Sequence, residues 1–538
     1  MKAPFRVAEG RGRFPSRGRH APLARLVLLA ALLGCDAPAP LDEVAAPMRV
    51  RSERIARLPK SYRKGSLATS GDQRRVGWVA QPEAKGPCRV VVDGVAGPER
   101  KACSSPTFSS DGARVGAWVT TVEAPGAATV SRLSVDSELV GPDLVDAGDL
   151  RFASEAPTWA ASALLAPTAG GGAAEAPRMR VFGPAGDLGT FRDTIAPASD
   201  ARGEHVAWVA SDADGRHALF VDGKEVRDFG VPPPISLGLV RVARPGPNLA
   251  PEETVRWLPD GTLVGIAPSG LGWLVFRAAA PGSGEAPRDF SSHDVLWRTT
   301  RPPASDPALR VRGSALLSGS LATAERAAFA CWWERPGGAG GLWRVACNGK
   351  PADDVTCPVA GSPPIAVAPS GDGVAYACTE ASTKEGEDRT WVVARGRRFG
   401  PHFEVASIET ADGGHFAYAA RDSSEAPFFY VVDGRRVPGE WDEVFAPRFS
   451  RDGRHVAWGA RPDAKQPRID LVLDGRVRTR ADMVAAPPRV EDDGSASWVV
   501  RRGKNVLRVA MTRGARDRTE PARRSPDAAR DSGRTPLP

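Results

Sequence analysis

The chain has 538 residues, of which 42% are hydrophobic and 25% are charged, and these proportions are those of a globular protein. Its net charge of +8 comes from the two ends, since residues 1–34 hold seven Lys and Arg against one Glu and residues 512–538 hold seven Arg against four acids. The body between them is near neutral and lacks the basic footprint of a nucleic-acid binder, so nucleic acid is excluded as a partner.

Residues 1–34 are predicted to be an export signal. Several arginines precede the apolar run 26–33, which is too short to cross a ~30 Å hydrocarbon core and is followed by Gly34 and Cys35. The segment 32–35, Leu-Leu-Gly-Cys, resembles the lipobox of bacterial lipoproteins, in which the cysteine is acylated and becomes the new N-terminus. The resemblance implies a membrane anchor at Cys35 and a location in the cell envelope, in the periplasm or at the outer membrane. An ordinary signal peptide with an incidental cysteine is the alternative.

Residues 35–62 are predicted to be a flexible tether between this leader and a folded body. The segment contains Pro38, Pro40 and Pro47 together with several charged residues.

A repeat of about forty residues extends over residues 63–511. In the clearest unit, 445–477, a strand ends at Ser450 and is followed by a turn at Asp452-Gly453, two further strands and a second turn at Asp474-Gly475. Asp-Gly is favoured in two-residue hairpin turns. The same turns recur at Asp111-Gly112 and Asp433-Gly434. Each unit therefore predicts a four-stranded antiparallel sheet, which is one blade of a β-propeller.

An aromatic residue in the second strand of each unit gives the spacing of the repeat. It recurs at Trp78, Trp118, Trp208, Phe329, Tyr376, Tyr418, Trp458 and Trp498, with weaker units around 165 and 266. The fold class is therefore all-β, a propeller of about 8–10 repeat units. Pro- and Gly-rich stretches at 231–253 and 278–313 are insertions or linkers. A single ring is favoured, and two rings with a boundary near 278–313 remain the alternative.

The segments 106–119, PTFSSDGARVGAWV, and 447–460, PRFSRDGRHVAWGA, resemble the WD40-like propeller repeats of the TolB type. The resemblance is strong at both ends of 63–511 and weak between 140 and 330. It implies the propeller fold and leaves the function open, because such propellers serve many functions.

Six cysteines follow Cys35, and an even number in an exported protein predicts disulfides. Spacing and position in the repeat favour the pairs Cys88–Cys103 and Cys347–Cys357, which leaves Cys331 to pair with Cys378. No Cys-x-x-Cys motif is present and no histidine lies at a ligand spacing, so neither a metal site nor a cofactor is predicted.

Candidate catalytic residues are sparse. His205, His415 and His455 share one repeat position just after the first turn, which predicts a structural role at a solvated strand edge. No Gly-x-Ser-x-Gly elbow accompanies any histidine. The adjacent Trp332 and Trp333 are predicted to pack between blades, with an exposed anchor for a partner as the alternative.

Residues 512–538 are rich in Arg, Pro and Asp and are predicted to be a disordered basic tail. The expected function is that of a non-enzymatic binding or scaffold lipoprotein of the cell envelope, whose propeller face recognises an envelope protein or a peptide. Two alternatives stay open: a propeller enzyme, hydrolase or lyase, with its site in the central channel, and a cell-wall carbohydrate binder or sensor.

Overall fold

A computed structural model describes residues 48–122, 129–146, 148–165, 178–194, 197–230, 255–269, 272–278, 317–334, 342–358, 364–380 and 388–513. Cys35 with its leader, nearly all of the two predicted insertions and the chain after residue 513 lie outside these ranges. Within them the structure is all-β, apart from one 3-10 turn at Asp412–Gly414. None of the described segments forms a helix long and apolar enough to span a membrane.

Ten antiparallel sheets follow one another along the chain and form the ten blades of a propeller ring. The blades are four-stranded, as the repeat predicts. In four sheets the innermost strand is interrupted and so counts as two short strands, and blade 5 shows three strands within the described ranges. The strands of blades 1 to 5 are β2 (Ala68–Thr69), β3 (Val76–Ala80), β4 (Arg89–Val92) and β5 (Val95–Ala96); β6 (Ala102–Cys103), β7 (Thr107–Phe108), β8 (Val115–Val122), β9 (Thr129–Val135) and β10 (Glu138–Leu144); β11 (Asp149–Phe152), β12 (Trp159–Leu164), β13 (Met179–Gly183) and β14 (Gly186–Phe191); β15 (Asp193–Thr194), β16 (Ala198–Ser199), β17 (Val206–Ser211), β18 (His217–Val221) and β19 (Lys224–Gly230); and β20 (Val255–Trp257), β21 (Leu263–Ser269) and β22 (Gly272–Ala278).

The second half of the ring repeats this arrangement. The strands of blades 6 to 10 are β23 (Leu317–Thr323), β24 (Ala330–Glu334), β25 (Arg344–Cys347) and β26 (Lys350–Pro351); β27 (Ile365–Val367), β28 (Val374–Glu380), β29 (Arg389–Ala394) and β30 (Arg397–His402); β31 (Glu404–Thr410), β32 (Phe416–Arg421), β33 (Phe429–Val432) and β34 (Arg435–Arg436); β35 (Glu443–Val444), β36 (Arg448–Phe449), β37 (Val456–Arg461), β38 (Ile469–Leu473) and β39 (Arg476–Ala481); and β40 (Met483–Val484), β41 (Arg489–Val490), β42 (Ala496–Arg502) and β43 (Asn505–Arg513).

The outermost strand of blade 10 comes from the other end of the chain. It is β1 (Met48–Arg57), which pairs antiparallel with β43 over nine residue pairs. Residues 48–57 were expected within the flexible tether, and this expectation is wrong for them because they complete a sheet. The expected start of the disordered tail at residue 512 is also too early, since β43 ends at Arg513.

Apolar packing joins each blade to the next. Ten clusters of buried side chains occupy the ten interfaces between successive blades, and one of them joins blade 10 back to blade 1 through Val499, Val506, Val76 and Trp78. The closing interface also contains Gln73, whose amide donates to the carbonyl of Pro487 at 3.0 Å. The ten blades therefore form one closed ring, and the two-ring alternative is wrong.

The repeat aromatics lie in these interfaces. Trp208, Trp458 and Trp498 are fully buried, and Tyr430 of blade 8 stacks on Trp458 of blade 9 with ring centroids 4.4 Å apart. In blade 6 the residue at this position is Trp332 rather than the expected Phe329, since Trp332 pairs across β25 as the other aromatics do.

Trp332 and Trp333 are both fully buried, on opposite faces of blade 6. Trp332 packs with the core of blade 5, and Trp333 meets Tyr376 of blade 7 edge to face at 5.3 Å. The prediction of packing between blades is confirmed for both residues.

Three disulfides are present, and only one has the expected pairing. Cys88–Cys103 joins blade 1 to blade 2, as expected. The expected pairs Cys347–Cys357 and Cys331–Cys378 are wrong, because the structure pairs Cys331 with Cys347 and Cys357 with Cys378. Cys331 and Cys347 lie directly opposite each other on β24 and β25, with Cα atoms 4.1 Å apart. Cys357 is then left to reach Cys378 across the interface with blade 7.

The closure by β1 generates a stability prediction. We expect the chain that begins at Ala46 to unfold at the same temperature as the chain with the leader. The chain that begins at Leu58 should unfold at lower temperature, because it loses nine cross-strand pairs worth about 0.2–1 kcal/mol each and exposes β43 as a sheet edge. Thermal unfolding followed by circular dichroism, with size-exclusion chromatography for aggregation, measures the difference. Equal unfolding temperatures for the two truncated chains would contradict the closing role of β1.

Candidate functional site

A cavity of about 1000 Å³ lies at the inner ends of blades 3 to 6. Its wall is made by the inner strands β11, β16, β20 and β23 and by the turns that lead from each of them to the next strand of the blade. The inner strands β11, β16 and β20 contact one another in turn. Because the inner strands of a propeller surround its central channel, the cavity lies at this channel. Its volume is that of a site for a small molecule or a peptide segment.

Carboxylates outnumber guanidinium groups in the lining of this cavity. The charged residues that line it are the acids Glu155, Asp200, Glu204, Asp260 and Glu325 and the arginines Arg151, Arg202 and Arg256. The excess of negative charge favours a cationic ligand.

Two of these carboxylates stabilise the turns that carry them. Asp200 accepts the backbone N–H of His205 at 3.1 Å, and Asp260 accepts that of Thr262 at 2.9 Å. The other three, Glu155, Glu204 and Glu325, are exposed, and their carboxylates have no hydrogen bond or ion pair with any described residue. They are therefore available to a ligand.

Glu325 also interacts with a carboxylate of blade 8, Glu409. Burial raises the pKa of Glu409 on β31, the Arg448 guanidinium lowers it, and the like charge of Glu325 raises it again. Arg448 Nη1 lies 2.6 Å from Glu409 Oε1, across the interface of blades 8 and 9. The repulsion between Glu325 and Glu409 adds to the preference of this region for positive charge.

Aromatic side chains provide the apolar part of the lining. Trp257 on β20 is half-buried, and its indole N–H donates to the carbonyl of Ala198 in blade 4 at 3.0 Å. The imidazole of His205 lies beside it, with ring centroids 6.1 Å apart and planes 31° from parallel. Phe152 of blade 3 also lines the cavity. Because Trp257 is fixed by its hydrogen bond, it offers a rigid apolar surface next to the carboxylates.

The three repeat histidines are bound within their own blades. In each case Nδ1 lies within hydrogen-bond distance of a carboxylate in the third-strand turn: 2.7 Å for His205–Asp222, 2.8 Å for His415–Asp433 and 3.0 Å for His455–Asp474. The predicted structural role is confirmed, since the imidazole joins two turns of one blade. The expected solvation is only partial, because the three side chains are 12–26% exposed. No hydroxyl or thiol is hydrogen-bonded to His205 in the described part of the chain.

The third-strand turns have the backbone conformation that the Asp-Gly pairs predict. Asp433, Gly434, Asp474 and Gly475 all have positive φ, between 48° and 79°. Consecutive positive φ values require Gly at the second position and tolerate Asp at the first. In blade 9 Asp474 Oδ1 also accepts the backbone N–H of Val456 at 3.1 Å, which ties the turn to the second strand.

The first-turn aspartates hold their own turns. Ser109 Oγ donates to Asp111 at 2.6 Å, and Ser450 Oγ donates to Asp452 at 2.7 Å, while Gly112 and Gly453 follow with positive φ. The backbone N–H of Asp452 donates to Asp492 of blade 10 at 2.9 Å. These turns therefore also connect neighbouring blades, and the residues singled out in them have structural contacts.

The cavity residues were missed by the sequence analysis. Glu155, Glu204 and Glu325 lie in the weak repeats between 140 and 330, where the Ser-x-Asp-Gly pattern is broken. The three acids do not share one repeat position: Glu155 takes the place of Asp111 in its turn, Glu204 follows the turn glycine Gly203, and Glu325 takes the place of Ser110, so no recurring signal marked them. Within the described residues no group of three His, Cys, Asp or Glu side chains is arranged to hold a metal ion.

The first turns generate a pH prediction. The hydrogen bond from Ser109 and the backbone N–H of Ala113 lower the pKa of Asp111, with burial opposing them. A lowered pKa in the folded state stabilises the protein above the unfolded value of about 4, and this contribution is lost as the pH falls through the folded value. Asp111→Asn should therefore lower the unfolding temperature at pH 7, and its difference from wild type should narrow below about pH 4.

Asp354→Asn is the control for this comparison, because Asp354 is exposed and its side chain has no hydrogen bond with a described residue. Its effect on the unfolding temperature should be small at both pH values. If the unfolding temperature of Asp111→Asn differs from that of wild type by the same amount at pH 7 and at pH 3, the prediction is contradicted.

No protein-family model and no curated protein matches the chain. Among solved structures it is similar to a eukaryotic initiation factor, at 12% identity and a TM-score of 0.37, over 72% of this chain and 92% of that one. It is also similar to tricorn protease, at 11% identity and a TM-score of 0.30, over 85% of this chain and 46% of that one. A third is TolB from Acinetobacter baumannii, at 12% identity and a TM-score of 0.22, over 75% and 78% of the two chains. At such identities the likeness concerns the β-propeller fold alone.

Proposed function

We propose that this protein is a non-enzymatic binding lipoprotein of the bacterial cell envelope, and that the cavity at blades 3 to 6 binds a basic peptide segment of an envelope protein. The observation that carries the proposal is a group of three carboxylates around one cavity, Glu155, Glu204 and Glu325, that have no partner among the described residues. Lys and Arg side chains of a partner satisfy such carboxylates with charge-assisted hydrogen bonds.

The shape of the site supports a peptide segment as the ligand. The cavity volume of about 1000 Å³ accommodates several residues, and four blades contribute to its wall. Trp257 adds a fixed aromatic surface on which an aliphatic or guanidinium side chain packs. An apolar surface beside negative charges matches the alternation of basic and apolar residues in a peptide.

The state of the cavity histidine supports binding rather than hydrolysis. A hydrolytic site needs a nucleophile within hydrogen-bond reach of a base. The contact of His205 Nδ1 with Asp222 is compatible with either role, but no hydroxyl or thiol in the described residues is bonded to this imidazole. Among the described residues the cavity thus offers recognition groups, and its histidine has no nucleophile bonded to it.

Charge reversal in the cavity tests the proposal. Glu155→Lys, Glu204→Lys and Glu325→Lys are combined in one variant, and the matched control combines Glu83→Lys, Glu138→Lys and Glu425→Lys at exposed positions outside the cavity lining. Each protein is used to capture partners from detergent-solubilised envelope. We expect wild type and control to recover the same protein, and the cavity variant to recover at least about tenfold less of it, because like charges now face each other.

Equal recovery by the cavity variant and the control would contradict the cavity as the binding site. Recovery of no protein, combined with retention on insoluble cell wall, would contradict the proposal in favour of a carbohydrate binder. Cleavage of the recovered partner by wild type would contradict the non-enzymatic assignment.

Replacement of the lipobox cysteine tests the proposed location. Cys35→Ala removes the thiol that accepts the lipid, so the variant should not incorporate labelled fatty acid and should leave the membrane fraction in a high-salt wash that the wild type withstands. Cys35→Ser is a second variant that removes the thiol with little change in volume. Incorporation of label into either variant would contradict acylation at Cys35.

A further inference from the structure

The outer wall of blades 9 and 10 is unusually rich in arginine. It consists of β39, β43 and β1, three strands that together contain nine arginines and one acid, Glu53. The arginines are Arg49, Arg51, Arg54, Arg57, Arg476, Arg478, Arg480, Arg508 and Arg513. This wall contrasts with the near-neutral charge of the propeller as a whole.

Some guanidinium nitrogens at this wall lack a hydrogen-bond acceptor among the described residues. The Nε atoms of Arg478 and Arg508 on the wall, and of Arg501 on the adjacent β42, are buried without a hydrogen-bond acceptor among the described residues. Burial lowers the pKa of Arg478, and the neighbouring Arg476 and Arg513 lower it further against the opposing effect of Asp474. Guanidinium groups that repel one another in this way favour the approach of anions.

The wall also has a recess and exposed apolar side chains. A hollow of about 590 Å³ is lined by Val477, Arg478, Thr479, Arg480 and Arg502. Val477 on β39 and Val50 on β1 are 47% and 41% exposed, and they are two of the four large hydrophobic side chains exposed in the described residues. Arginines interspersed with exposed apolar residues are typical of surfaces that bind at a lipid interface.

The position of the chain end favours a membrane as the occupant. The wall begins at Met48, and the cysteine proposed as the lipid anchor lies thirteen residues earlier, which limits their separation to about 45 Å. The proposal that the wall binds a membrane therefore rests on the proposed lipid anchor. The arginine-rich wall itself is observed independently of that anchor. Charge spread over two blades fits a sheet of lipid phosphates better than one small anion.

We propose that the outer wall formed by β39, β43 and β1 docks the propeller on the anionic headgroups of the membrane in which the protein is anchored. Docking places lipid phosphates against the exposed arginines of β1 and β39 and covers Val50 and Val477. The propeller is thereby held at the membrane by a surface as well as by its N-terminal lipid.

Binding to vesicles tests this surface without the anchor. The chain from Ala46 is used, because it forms one compact unit whose ten interfaces close within it. Its sedimentation with vesicles of phosphatidylglycerol and phosphatidylcholine is compared with that on phosphatidylcholine alone. We expect binding only to the anionic vesicles and weakening with salt, since the attraction falls off within a Debye length of about 10 Å at 0.1 M salt.

Matched variants place the binding on the wall. Arg49, Arg51, Arg476 and Arg478 are changed to Gln in one variant, and the control changes the exposed Arg192, Arg389, Arg397 and Arg435 of other blades to Gln. The wall variant should bind anionic vesicles at least about tenfold more weakly than the control. Circular dichroism confirms that each variant is folded before the comparison.

Three outcomes would overturn the proposal: equal binding by the wall and control variants, loss of binding on removal of residues 514–538 alone, and displacement of the protein from vesicles by soluble polyphosphate at equal phosphate concentration. The last outcome identifies a soluble polyanion as the occupant. Because the assay contains neither Cys35 nor a partner protein, its failure leaves the cavity and anchoring experiments unaffected.

Discussion

The structure depends on the apolar packing of each blade against its two neighbours. A single four-stranded sheet with two apolar faces cannot bury either face by itself. Trp208, Trp458 and Trp498 are fully buried because a neighbouring blade packs against the sheet that carries each of them. Burial of one large side chain contributes about 1.5–3 kcal/mol, so every missing interface would cost several of these contributions. The ring must therefore close, and β1 together with Gln73 and Trp78 completes the last interface.

Closure with ten blades has a consequence for the centre of the ring. Propellers commonly have four to eight blades, and each added blade widens the channel between the inner strands. Side chains on the inner strands then no longer fill the centre, and polar residues such as Arg256, Glu409 and Arg448 remain in contact with solvent or with one another. The cavity at blades 3 to 6 is the part of this channel where the turns depart from the repeat. Because the channel is wide, the apolar core lies in the interfaces between blades. For the same reason the mouth of the channel stays accessible to a ligand.

The sequence predicted the parts of the fold that each repeat determines within itself. The Asp-Gly pairs specify turns through local backbone preference, and the aromatic at each second strand specifies an interface, so both can be recognised without knowing the ring. Contacts that depend on closure could not be predicted. The segment 48–57 resembles a tether in composition because only pairing with β43 makes it a strand. The pairing of Cys331 with Cys347 likewise follows from a cross-strand register that the spacing of the cysteines does not reveal.

The candidate site was hidden for a related reason. Repeat analysis gives weight to positions that recur, whereas Glu155, Glu204 and Glu325 lie where the pattern fails and contact one cavity only after the four blades are assembled. The histidines show the opposite case, because their recurrence was visible but their partners, the turn aspartates, could be assigned only from the fold.

Charge is segregated around the ring in a way that the net charge conceals. The cavity with its carboxylates belongs to blades 3 to 6, while the arginine-rich outer wall belongs to blades 9 and 10. In a closed ring of ten, blade 5 lies five positions from blade 10, so the two charged regions are on opposite sides. Opposite charges so far apart are screened from each other at physiological salt, where the Debye length is about 8 Å, and they cannot stabilise the fold by attraction. Each charged region can instead stabilise a bound ligand of opposite charge, which is a cation at the cavity and an anion at the wall. A protein held at an anionic surface by its wall would then present the acidic cavity away from the repelling surface, where a basic segment can reach it.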